Sequence, residues 1–213
     1  MFRKFFVAAV LIAGSAAANA GLILDEGFDD VAGLTAKGWV MTNNSTPVGE
    51  TGWFQGNSGV FSAQSGAADS YIAANFLNAG FGGNIDNWLI TPVFEVTSAT
   101  AISFAARTTG AFPGDTLQLL YSLGGTSTSD FFSIATISGA GFPTSWDLFS
   151  LIGTSDASVR LAFRYLVTDT SANGDYIGID SFKVDVPEPS TVALFAIALL
   201  MMVVATRRRR GRA

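Results

Sequence analysis

The side chains able to do chemistry in this 213-residue chain are few, and the absences narrow them further. There is no His and no Cys. A Ser-His-Asp or Cys-His nucleophile is therefore excluded, and zinc, which favours imidazole and thiolate ligands, is a poor fit. Carboxylates remain. A glycosidase needs two of them about 5 to 10 Å apart across the scissile bond. Before Val186 the only glutamates are Glu26, Glu50 and Glu95, and none lies in a clustered E-x-D-x-x-E strand motif, so the pattern points away from hydrolysis. Asp169, Asn173, Gly174 and Asp175 have the composition of a calcium loop without the spacing of an EF-hand, and read as a solvated turn. Four tryptophans, Trp39, Trp53, Trp88 and Trp146, offer flat apolar faces on which a sugar could stack. Trp53, between Gly52 and Phe54 in a polar, loop-rich stretch, is the candidate ligand contact, whereas Trp39 and Trp88 read as packing residues. The overlapping N-x-S/T pattern of Asn43-Asn44-Ser45-Thr46 reads as loop.

The elements that would position these residues are strands. Residues 158–165 are the clearest: Val159, Leu161, Phe163 and Tyr165 fall on one face, Arg160, Ala162 and Arg164 on the other. A period of two with one polar face predicts a half-buried antiparallel strand. Similar runs occupy 22–24, 60–64, 71–76, 88–91, 101–107, 116–122, 131–137, 146–151 and 176–186, with no amphipathic helix between them. About ten short strands with frequent turn signals predict an all-β fold, a jelly-roll-like antiparallel β-sandwich. Residues 110–114, 124–129 and 139–143 read as hairpin loops. One irregularity concerns a candidate site residue. In 176–184 the apolar pairs are Ile177 with Ile179, then Phe182 with Val184, and a regular strand cannot bury both on one face. A bulge at Asp180 and Ser181 is expected, re-aiming Asp180 out of the pleat.

The two ends are different material. Residues 1–20 have Arg3 and Lys4, then an apolar run from Phe5, then Ala18-Asn19-Ala20, the form of a secretory signal peptide cut after Ala20. Residues 192–205 are apolar and precede Arg207, Arg208, Arg209, Arg210 and Arg212, a cluster that stays cytoplasmic and leaves the preceding domain outside. Between them, residues 21–186 hold five basic residues against sixteen acidic ones, a formal charge near −11. No basic surface is left to neutralise phosphates, which excludes nucleic acid as a partner. Without cysteines, the stability of this exported domain rests on core burial, and about 166 residues suffice for one core.

Val186-Pro187-Glu188-Pro189-Ser190, the apolar run and the arginine cluster together resemble a PEP-CTERM sorting signal in residues 187–213. That resemblance implies processing by an exosortase, a membrane-embedded stop before cleavage through a short hydrophobic helix, and display on the envelope or in the exopolysaccharide matrix of a Gram-negative bacterium. The middle resembles choice-of-anchor J, cleaved-adhesin and MAM-like domains. The matching pieces are Asp25-Glu26-Gly27-Phe28-Asp29-Asp30 with Gly38-Trp39, then Asp86-Asn87-Trp88-Leu89-Ile90-Thr91-Pro92, Tyr121-Ser122, and Tyr176-Ile177-Gly178-Ile179-Asp180. Ser181 stands where a second acidic residue is usual. In such jelly rolls the first and last strands are neighbours, which leaves two readings of Glu26 and Asp180: ligands of a structural calcium site, with Asp25 or Asp69 as additional ligands, or ordinary sheet-end carboxylates paired with Lys or Arg. The implied function is a non-catalytic surface or matrix module; the alternatives are a carbohydrate-binding, lectin-like module and, last, a glycoside hydrolase.

Overall fold

The computed structural model describes residues 22–97, 100–110, 114–153 and 156–186. The segments 1–20 and 187–213, with the expected signal-cleavage residues Ala18 and Ala20, the sorting residues Pro187, Glu188, Pro189 and Ser190, and the hydrophobic sorting helix, lie outside the described residues; Val186 is the last described residue. Along the chain run β1 (Leu22–Glu26), β2 (Val40–Asn43), β3 (Thr46–Val48), β4 (Phe54–Gln55), β5 (Ile72–Asn75), β6 (Ala79–Ile90) and β7 (Phe94–Val96). They are followed by β8 (Ala101–Thr108), β9 (Thr116–Ser122), β10 (Phe132–Ser138), β11 (Asp147–Ile152), β12 (Ala157–Val167) and β13 (Tyr176–Asp185). There is no α-helix among the described residues, and no helix there is long and apolar enough to cross a membrane.

The strands form two antiparallel sheets packed face to face. One is six-stranded in the order β11-β8-β13-β5-β4, with β1 also on β13; the other is seven-stranded in the order β10-β9-β12-β6-β2, with β3 on β6 and β7 on β12. The first and last strands are neighbours, as expected, with Glu26 opposite Phe182 and Asp25 opposite Lys183.

The core lies where the alternation puts it. Val159, Leu161, Phe163 and Tyr165 are all buried, and Arg160 and Arg164 are on the other face. Phe163 meets Phe104 and Phe182 edge-on, with ring centroids 4.9 and 5.5 Å away, and Trp39 packs edge-on against Phe182 and Phe28. Ring edges against ring faces hold the two inner sheet surfaces in one register. The expected bulge is present. Asp180 pairs with Ala105 and Lys183 with Ser103, so β13 carries one residue more than β8 there, and Ser181 takes a left-handed φ of 53°. That extra residue lets Ile177, Ile179, Phe182 and Val184 all reach the core.

Three expectations are corrected. Residues 110–114, of which 111–113 lie outside the described residues, and 139–143 do not join paired strands: β8 and β11 belong to one sheet and β9 and β10 to the other. Turn residues signal that the chain reverses, not which sheet it returns to; only 124–129 closes a hairpin, β9 to β10. Residues 60–64 form a loop rather than a strand. Conversely, β6 begins nine residues before the expected start at Trp88, because its first half, Ala79-Gly80-Phe81-Gly82-Gly83-Asn84, has almost no apolar alternation to announce it.

Candidate functional site

β6 and β12 lie side by side, Arg164 opposite Trp88 and Leu166 opposite Asp86. Because Ile85 and Leu89 face the core, Asp86 and Trp88 project from the outer surface of the seven-stranded sheet, where the polar face of β12 places Arg164. Arg164 grips Asp86 with two bonds: Nε donates to Oδ1 at 2.6 Å and Nη2 to Oδ2 at 3.0 Å. Trp88 Nε1 also donates to Oδ1, at 2.6 Å, and the guanidinium lies 4.7 Å from the Trp88 ring centroid. A two-pronged carboxylate pair and an aromatic bed fix the guanidinium plane in place. Around this pair opens a groove of about 540 Å³, lined also by Asn44, Asn84, Thr116 and Thr168. Amide, hydroxyl, guanidinium and carboxylate groups all present there, beside aliphatic Leu166 and Val167. Such a surface can both donate and accept hydrogen bonds. Stacking contributes little, because Trp88 is itself buried under Arg164 and beside Phe131. Phe81, three residues before Asn84 on β6, is 89% exposed.

The candidate contact Trp53 is not there. It is buried in the main core, so the expectation of a ligand-facing Trp53 is corrected. Its glycine and polar neighbours describe the local loop, not the hydrophobic interior into which the ring is folded. Trp146 is half-buried, packs on Phe61 and Tyr71, and donates its Nε1 to Ser62 O at 2.8 Å. The four tryptophans thus form no sugar-stacking platform.

Of the acidic residues expected to share calcium, Glu26, Asp25 and Asp180 each have another partner. Glu26 Oε1 accepts from the Phe28 amide at 3.0 Å, and Oε2 pairs with Lys37 Nζ at 2.9 Å. Asp25 lies 3.8 Å from Lys183 Nζ. Asp69 is exposed, and its backbone oxygen accepts from Gln55 Nε2. Asp180 is fully buried, with Oδ2 accepting the amides of Gln64 and Ser65 at 2.7 and 3.0 Å and Oδ1 that of Ser181 at 2.5 Å. Burial pushes its carboxyl up, and these donors pull it part of the way back. No group of three or more acidic side chains that could hold a metal exists among the described residues. With both oxygens of Glu26 and of Asp180 taken by other donors, this arrangement does not fit a shared calcium ion. Asp180 instead pins the loop after Asn57 onto the outer face of the six-stranded sheet, where Phe61, Tyr71 and Tyr176 pack together and Gly178 leaves room for them.

Another buried carboxylate, missed in the sequence, is Asp115. It accepts from Thr108 Oγ1 at 2.6 Å, Tyr165 Oη at 2.7 Å and the Asp175 amide at 3.0 Å, tying β8, β12 and the approach to β13 together. Burial raises its carboxyl above the usual range and raises the Tyr165 hydroxyl well above its own. It is a structural node.

Residues 185–210 match the family model of the PEP-CTERM protein-sorting motif. The chain carries that sorting signal. It is therefore an exported protein, addressed to the cell surface and processed by an exosortase. No curated protein matches the sequence. Among solved structures, the K2 cleaved adhesin domain of Lys-gingipain is 20% identical over 76% of this chain and 98% of that domain, with a TM-score of 0.56. The K1 and K3 cleaved adhesin domains of Lys-gingipain from Porphyromonas gingivalis W83 are each 18% identical, over 77% and 78% of this chain and 98% of theirs, with TM-scores of 0.55 and 0.56. The PEP-CTERM chain thus carries a sandwich with the fold of cleaved adhesin domains.

Proposed function

We propose that the sandwich is a non-catalytic module that binds extracellular polysaccharide, delivered by its sorting signal to the surface or biofilm matrix of a Gram-negative bacterium. The observation that carries this reading is the groove beside Asp86 and Arg164, polar, open and rigidly braced on two adjacent strands. Asp86 is its only carboxylate among the described residues and is held by a guanidinium, an arrangement that supports binding rather than acid–base hydrolysis. The test is binding of the exported chain to the extracellular polysaccharide of its own host, with wild type and Arg164→Met compared. A hydrogen bond to a charged group contributes about 1.5 to 3 kcal/mol, so the variant should bind roughly ten- to a hundredfold more weakly. No binding by the wild type, or equal binding by both, would remove polysaccharide from this groove.

A further inference from the structure

At one side of the sandwich the two sheets end in β10 and β11, and neither strand has a partner on its outer edge among the described residues. Edge strands are ordinarily blunted by lysine, proline, bulges or extreme shortness, because an unpaired row of amides and carbonyls invites another chain. β10 carries one such device, since its register on β9 slips between Ser133 and Ala135. β11 carries none. Its sequence, Asp147-Leu148-Phe149-Ser150-Leu151-Ile152, has no lysine, arginine or proline, and it runs against β8 without a break from Asp147 to Ile152. Leu148 is 64% exposed and Ile152 59%. Phe149 and Leu151 line an apolar cleft of about 230 Å³ with Ile134 and Ile137 of β10. β11 is thus a regular, largely apolar edge whose one charge, Asp147, stands at its first residue, on an otherwise strongly acidic domain.

We propose that β11 is a self-association edge: two copies pair β11 to β11, antiparallel about Ser150, and the six-stranded sheet continues from one molecule into the next. The register follows from geometry. Directly opposite residues of an antiparallel pair point to the same face, so a two-fold axis must pass through a residue of the strand and not between two. Centring on Ser150 sets Leu148 opposite Ile152 and Phe149 opposite Leu151, and Ser150 faces its own copy. Asp147 then lies opposite Gly153, away from any acid. Centring on Phe149 would instead set Asp147 against Leu151 and Leu148 against Ser150. Only the first choice matches apolar with apolar on both faces and leaves the single charge unopposed.

The two-fold contact is isologous and closed, so it yields dimers. One short strand pair with its flanking side chains is small beside the roughly 1,200 to 2,000 Å² of stable interfaces, so association in solution is weak and concentration-dependent. Delivery of many copies to one surface supplies the local concentration.

The test uses the mature exported chain in sedimentation velocity across a concentration series, with three substitutions at Ser150, which is exposed. Wild type should dimerise as concentration rises. Ser150→Lys and Ser150→Glu each place like charges face to face and should weaken dimerisation at least tenfold, while an equimolar mixture of the two should restore it. Because the chain has no cysteine, Ser150→Cys should form a disulfide-linked dimer under mild oxidation, whereas Thr136→Cys on exposed β10 should not. A wild type that stays monomeric throughout, dimerisation by Ser150→Lys alone as tight as wild type, or equal cross-linking at Ser150 and Thr136 would each overturn the assignment.

Discussion

Replacing Asp115 separates the value of its hydrogen bonds from the cost of its charge. The side chain is 4% exposed and accepts from Tyr165 Oη, Thr108 Oγ1 and the Asp175 amide, in the region where the chain crosses from β8 to β9. Asp115→Ala leaves three donors without an acceptor. An abandoned buried donor costs about 1 to 3 kcal/mol, but the two hydroxyls can turn toward any water entering the vacated space, so the low end applies and the total is about 3 to 5 kcal/mol. That is a large part of the roughly 5 to 15 kcal/mol that holds a domain together. Asp115→Asn keeps a carbonyl oxygen for Tyr165 and the Asp175 amide. Its amide group faces Thr108, whose hydroxyl can rotate to accept. No charge is buried, so the expected cost is under about 1.5 kcal/mol. The pH dependence has a definite sign. Burial holds the Asp115 and Asp180 carboxyls above the ordinary value of 3.8, so the folded state keeps these protons to higher pH than the unfolded state does. Their contribution to stability is complete below that value and is lost as pH rises through the folded pKa of each. Urea unfolding between about pH 4 and 7.5 should therefore show wild type losing stability from this source as pH rises, and Asp115→Asn should flatten part of that slope. An asparagine variant as unstable as the alanine one, with an unchanged slope, would refute the reasoning and show that the node needs the charge itself.

Phe163→Ala should cost about 3 to 5 kcal/mol in the same assay, because the ring fills the space between Phe104 and Phe182. Arg160→Ala should cost about 1 kcal/mol, for the bonds from Nη1 to Thr91 O and from Nε to Gly124 O; equal costs would invalidate the assigned faces of β12. Asp180→Ala should lower the thermal midpoint by the same amount in calcium and in chelator, since the carboxylate holds the amides of Gln64 and Ser65. A midpoint that rises with calcium in wild type and not in Asp180→Ala would restore a metal ion to that corner.

Alternation made the inner faces of the strands legible, because the period of two assigns each residue a face and the apolar set then names the core. It located β12 and its buried side chains, and it revealed the bulge at Asp180 through the slip between Ile179 and Phe182. It did not say what lies over an outer face. Asp180 read as a sheet-end acid that a calcium ion or a cationic side chain would hold, yet the amides that hold it come from Gln64 and Ser65, 116 and 115 positions earlier. Trp53 read as a loop residue because composition there is polar, although the ring belongs to the core. Asp86 and Arg164, 78 positions apart, each read as an ordinary polar residue. Only the pairing of β6 with β12 makes them a braced groove wall, and no short motif encodes that pairing.

The same parity that identifies the core constrains the outside of the molecule. In β12 it separates Phe163 from Arg164, one residue for packing and the next for the groove. In β11 it separates Phe149 and Leu151 from Leu148, Ser150 and Ile152, and β11 alone of the two strands on its side is left without a bulge or a countering positive charge. Both faces of β11 are largely apolar, broken only by Asp147 and Ser150, and its outer edge has no partner among the described residues. In the proposed dimer another strand covers that edge, and in the Ser150-centred register a second copy supplies one that matches it on both faces.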